Sequence, residues 1–213
     1  NVNFDANGGT EKAAYSFGAS YLDQDGIVGG DKSNYNRATA RLNFQYDILK
    51  NLKLSTTAIY THSNKNNLSE GAAGSVLFNA INMNPVMPVY DATEEDGFQK
   101  AYNLGGEIIN PVAQLANTYD KTRVNKISAT LGLDYSFLND HFKVSSKFQM
   151  NHSVVDGHVF KPEVYYGPSK SFNITTNEVY ENKDYYDDYT WDNFITYSNT
   201  FNEDHSLTVL LGM

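Results

Sequence analysis

Three carboxylate clusters are the first candidates for chemistry in this chain of 213 residues: Asp23 and Asp25 before Gly26, Asp91 with Glu94, Glu95 and Asp96, and Asp184 with Asp187 and Asp188. Hard cations want several carboxylate oxygens at once, so Ca²⁺ on a loop is the cofactor these acids would take. None matches the full calcium-loop pattern, and solvated loop acids with no cofactor are the stronger reading. The string DQDG reads better as a turn that tolerates unusual backbone angles. His62, His141, His152, His158 and His205 lack the i, i+4 spacing of a helical zinc motif, so no metal site is assigned. There is no GxSxG elbow with a base partner, and no carboxylate pair stands out as that of a glycosidase. The chain is read as a non-enzyme. Asn67-Leu68-Ser69 and Asn173-Ile174-Thr175 match glycosylation acceptors by chance.

Two groups of residues remain. Tyr165, Tyr166, Tyr180, Tyr185 and Tyr186 fall in a long polar stretch taken as a loop, and their flat faces suit sugar or peptide cargo. The plainer alternative is that they pack the loop. Arg37, Arg41, Lys126, Lys143 and Lys147, with Asp47 and Asp134, sit at alternating positions of strand-like segments. Pairing between facing charges on neighbouring strands, or with another element inside a lumen, is the expected role.

The elements that would hold these residues follow from periodicity. No run approaches the ~20 apolar residues of a membrane helix. Segments 12–22, 36–48, 52–63, 123–137, 142–155 and 189–201, and a last one from 206, alternate apolar and polar residues with period two. Residues 1–5 resemble the tail of a further strand, and 6–11 a glycine-rich turn. Short connections alternate with long ones (23–35, 64–122 and 156–188), and short helices are expected near 74–82 and 111–118. That wiring predicts an all-β fold: a partial transmembrane antiparallel β-barrel of about seven strands, with short turns on the periplasmic side and long extracellular loops. Tyr15, Tyr21, Tyr60, Trp191 and Tyr197 are expected in its interfacial girdle, against outer-membrane lipid. Fewer than eight strands cannot close in lipid, so the chain is expected to be an internal segment of a larger barrel. The formal charge of −9 speaks against a nucleic-acid partner. A soluble carbohydrate-binding β-sandwich is the rival architecture, in which Tyr15, Phe17 and Tyr21 would face a protein core.

Several strings carry more than architecture. YSFGASYLDQDGIV at 15–28, NPVMPVYD at 84–91, NPVAQL at 110–115 and the closing HSLTVLLGM resemble SusC/RagA-type TonB-dependent transporters. The resemblance implies a 22-stranded barrel filled by a plug, capped by a SusD-like surface lipoprotein and driven through TonB. It implies import of oligosaccharide or peptide cargo across the outer membrane of a Gram-negative, Bacteroidetes-type bacterium. The plug and TonB box have no counterpart in these residues. A passive porin-like channel is the functional alternative.

Overall fold

A computed structural model describes residues 1–68, 73–202 and 204–213. Eight strands form one antiparallel sheet in chain order: β1 Val2–Gly9, β2 Ala13–Asp25, β3 Asn34–Leu49, β4 Leu52–Asn66, β5 Tyr119–Phe137, β6 Phe142–Lys161, β7 Glu178–Phe201 and β8 His205–Gly212. Each strand pairs only with its sequence neighbours, so β1 and β8 are the two edges. Two short helices, α1 Val76–Asn82 and α2 Pro111–Ala116, lie between β4 and β5.

The count of seven strands is corrected to eight. Residues 6–9, expected in a turn, continue β1, and Gly8 pairs opposite Tyr15. A Cβ on Gly8 would lie 2.6 Å from the Tyr15 hydroxyl, so that ring covers the bare glycine backbone. Asp23 and Asp25 also lie within β2 rather than in a turn, and the connection to β3 is shorter than expected. The largest correction is at β7. It begins at Glu178, so the expected loop of 156–188 shrinks to 162–177.

Register fixes which side chains share a face, because paired residues of neighbouring strands point the same way. One face carries Phe17, Leu42, Ala58, Ala129, Met150 and Tyr189 in a single row. Parallel rows above and below it hold Tyr15, Phe44, Leu131, Phe148 and Trp191, and Ala19, Ala40, Tyr60 and Ile127. Among the described residues no second sheet covers this face. Tyr15 is 52% exposed, Phe17 41% and Tyr21 48%, which overturns the sandwich expectation that they face a protein core. The five girdle aromatics all lie on this apolar side by register.

The buried core lies outside the sheet. Ile109, Ala113, Val164 and Tyr166 form it, with Phe98, Phe172 and Ile174 packed against them. It joins the 67–118 connection to the 162–177 connection, both on the long-loop side. Ser75 caps α1 by accepting from the Phe78 N–H. Asn110 caps α2, where Pro111 occupies the first turn and its missing N–H costs nothing.

Candidate functional site

The opposite face of the sheet is polar, and Arg37, Arg41, Asp47, Lys126, Asp134, Lys143 and Lys147 all lie on it, alternating with the apolar set. Their pairing is partly the expected one. Lys143 meets Asp134 at 3.2 Å, and Ser145 donates to the same carboxylate at 2.5 Å. Asp47 is matched by Lys53 at 3.8 Å, and Arg41 by Asp5 at 3.6 Å, both partners outside the expected set. The Arg41–Asp5 pair reaches across β2 at Gly18, where a Cβ would lie 2.7 Å from the Asp5 carboxylate. Only a glycine lets the two outer strands join charges over the middle one. These pairs are all exposed, so they set register more than they add stability. Among the described residues Arg37, Lys126 and Lys147 have no carboxylate partner.

The five candidate tyrosines separate. Tyr180, Tyr185 and Tyr186 stand on β7, which corrects their placement in a loop. Tyr180 and Tyr186 share the polar face with those charges, while Tyr185 lies on the opposite face beyond Tyr189 and Trp191. Lys161 sits over the Tyr180 ring at 4.7 Å. Tyr165 is exposed in the loop pack, beside a cleft of about 530 Å³ that Glu94, Asp96 and Glu163 also line. Tyr166 is buried in the loop core and so belongs to packing rather than to a cargo surface. Burial pushes its phenol up to about 12 from 10.0, with the nearby Asp96 charge adding to the effect. Its ionised form is disfavoured in the folded pack, so stability holds below pH 10 and falls as pH rises from 10 toward 12. Limited proteolysis of the loops at pH 9 and pH 11.5 should show that loss, and Tyr166→Phe should remove this tyrosine's share of it.

Polar side chains hold the loop pack together. Asn79 is fully buried; it donates to Gln114 at 2.8 Å and accepts from the Ile109 N–H at 3.2 Å. The Asn110 amide reaches the carbonyls of Val89 and Gln99 at 2.8 and 3.0 Å. Lys170 donates to the carbonyls of Leu104 and Gly105, and burial pulls its pKa down. These anchors were not legible in the sequence, since their partners lie tens of residues away.

Several of the clustered acids are engaged by neighbouring side chains. Asp91 holds Thr93 through both its N–H and its hydroxyl, which lowers the carboxyl pKa. Glu94 accepts from Tyr102, whose phenol that bond raises to about 12. Asp96 pairs with Lys100. Among the described residues no three acidic or histidine side chains converge on one point. His152 and His158 each face one carboxylate, Asp187 at 2.6 Å and Glu181 at 2.9 Å. The Asn173 side chain is used inside its own turn, bonding the Tyr166 N–H and the Gly167 carbonyl. Ser69 of the other glycosylation match lies outside the described residues.

No protein-family model matches the chain. Among curated proteins it is 27% identical over 219 residues to TonB-dependent receptor P3 of Formosa agariphila, covering 96% of this chain and 20% of that protein. It is 26% identical to TonB-dependent receptor P39 of the same organism, covering 99% of this chain and 19% of that protein. The chain thus spans about a fifth of the length of the curated relatives it matches. Among solved structures it superimposes on the RagAB peptide importer in its closed-closed state with a TM-score of 0.76, and in its open-open state with 0.78. Identity is 17% in both cases, over 99% of this chain and 23% of the other. The fold is therefore that of an arc of antiparallel barrel wall, as the strand wiring implied. The matched proteins are receptors and an importer rather than enzymes.

Proposed function

Taking the chain as a stretch of wall from a SusC/RagA-type, TonB-dependent barrel, we propose that the full protein is an energised importer in the outer membrane of a Gram-negative, Bacteroidetes-type bacterium. The observation that carries this reading is the match of nearly the whole chain to the RagAB barrel together with two TonB-dependent receptors. Cargo is captured between the extracellular loops and a SusD-like lid lipoprotein. It is admitted to the lumen when TonB, acting through a plug, opens the barrel. Peptide is the favoured cargo class, because the structural neighbour is described as a peptide importer; oligosaccharide is the second. Uptake of a labelled peptide pool should fall to background in cells lacking TonB. Uptake that continues unchanged without TonB would instead support a passive porin-like channel.

The 67–118 connection is the assigned contact for the lid. It leaves Leu77, Ile81, Val86 and Tyr90 exposed, apolar side chains that a partner could cover. Shortening the stretch between α1 and α2 in the full protein should abolish co-purification of the lid. Lid association that survives this change would remove the loop from the interface.

A further inference from the structure

We propose that a pocket at the upper outward corner of β5 and β6 binds a neutral saccharide, at a site apart from the lumen. The proposal rests on the barrel reading for which face is outward. The pocket holds about 580 Å³, inside the range of roughly 300–1,000 Å³ usual for small-ligand sites. Its apolar part is the row of Tyr119, Phe160 and Val179, on the same side of the sheet as the apolar band. That row stands six residues, about 20 Å, beyond the row of Val154 and Tyr185, so the site is clear of lipid. The Tyr119 and Phe160 rings lie 5.7 Å apart, tilted by 48°. The turn Gly30–Lys32 is tied down beside them. Lys32 places its ammonium 3.9 Å over the Tyr119 ring and donates to the Thr118 carbonyl at 3.0 Å. Asn66 donates to the Asp31 carbonyl at 2.9 Å. Tyr119 nonetheless stays half exposed, and Val179 more so.

The rim selects the ligand class. Two acids and two lysines line the pocket, Asp31 and Asp120 with Lys32 and Lys121, so it favours neither sign of charge. Asp120 is held by the Asn67 amide at 2.9 Å, and His158 by Glu181 at 2.9 Å. Among the described residues the Asp31 carboxylate and the Lys121 ammonium have no opposite charge within 4.0 Å. A purely apolar guest would strip water from both without replacing it. An anion would meet the acids, and a cation the lysines. A sugar satisfies all three parts: one hydroxyl donates to Asp31, another accepts from Lys121, and the C–H face of the ring lies on the aromatics. An extended peptide gains less. It binds sheets by pairing with a free strand edge, and β5 and β6 both have their ladders filled on either side.

The test uses the full-length receptor in detergent and measures binding by calorimetry. The probes are neutral hexasaccharides of glucose, mannose and galactose, a hexamer of glucuronic acid, and a zwitterionic tyrosyl tripeptide. At least one neutral hexasaccharide should bind, and the uronate more weakly. Asp31→Ala, on an exposed turn, should weaken that binding about tenfold, the worth of one hydrogen bond to a charged group. Phe160→Leu keeps an apolar side chain but loses the flat face, and should weaken it about fivefold. Asp140→Asn, in the short turn between β5 and β6, should leave it unchanged. A neutral sugar that co-purifies with the wild type and is lost in Asp31→Ala makes the ligand the cell's own surface glycan. Binding of added sugar alone makes it a free saccharide, and either source upholds the site. No neutral hexasaccharide bound, the uronate bound as tightly, or both variants binding like wild type overturns the proposal. Tripeptide binding that both variants weaken would make the pocket a peptide site and overturn the saccharide. Uptake of labelled peptide should stay at the wild-type level in Asp31→Ala. Saccharide binding that fails while TonB-dependent peptide uptake persists therefore removes this inference and leaves the importer reading intact.

Discussion

Leu131→Arg in the full-length protein should cost about 2–4 kcal/mol of barrel stability, the range for an arginine on the lipid face near the bilayer midplane. Leu131 is half exposed, yet it lies centrally in the outward run Ile127, Ala129, Leu131, Leu133 and Tyr135. Exposure to hydrocarbon and exposure to water have opposite consequences for a charge. In water the substitution would exchange one exposed side chain for another and change stability by roughly 0.5 kcal/mol or less. In lipid it must desolvate the guanidinium or thin the bilayer around it. Thr130→Arg, one residue away, points to the polar face and should stay near neutral. Unfolding from lipid vesicles in denaturant, followed by loss of the compact band on unheated gels, gives both values. A large penalty at both positions would mean that both faces are packed; none at either would mean that the sheet stands in water.

How much of this was legible in the sequence depends on what surrounds each strand. Across the membrane the two faces meet lipid and lumen, so β3, β5 and the lower half of β6 alternate cleanly. The upper half of β7, Glu-Val-Tyr-Glu-Asn-Lys-Asp-Tyr-Tyr-Asp-Asp, reads as a polar loop because neither of its faces meets lipid. At about 3.3 Å per residue its 24 residues span about 80 Å, far more than the 9–11 residues a crossing needs. Its regularity comes from pairing with β6, a neighbour that local periodicity does not reveal. The same cause moved Tyr180 and Tyr186 from a loop to the polar face of β7. β1 was obscured differently: Gly8 and Gly9 signal a turn, but the Tyr15 ring covers the first of them and keeps the strand going. Alternation placed the seven charges on one face, while the partners Asp5 and Lys53 came from the register of adjacent strands.

Gly74→Ala should be the most damaging small substitution in the two connections that share the buried core. Gly74 has φ +78°, in the region where an L side chain is strained by about 1–2 kcal/mol. A Cβ there would also fall well inside van der Waals contact with the Phe172 ring. Phe172 cannot swing away freely, because it packs against the buried cluster of Ile109, Ala113, Val164 and Tyr166. Overpacking of this kind adds about 1–3 kcal/mol, so a total near 3 kcal/mol is expected. The Gly74 carbonyl accepts from Gln114 at 2.7 Å, and Gln114 in turn accepts from Asn79. Displacement at Gly74 therefore loosens both the packing of Phe172 on the buried cluster and the amide chain that ties α1 to α2. Gly97 separates strain from crowding. Its φ is +73°, but nothing lies within 4 Å of where its Cβ would go, so Gly97→Ala should cost only the backbone share. Hydrogen exchange on the full protein should show the 67–118 and 162–177 segments losing protection together in Gly74→Ala, with the strands across the membrane unchanged. Loss confined to one segment would mean that the two connections do not share a core, and equal effects at Gly74 and Gly97 would mean that the Phe172 contact contributes nothing.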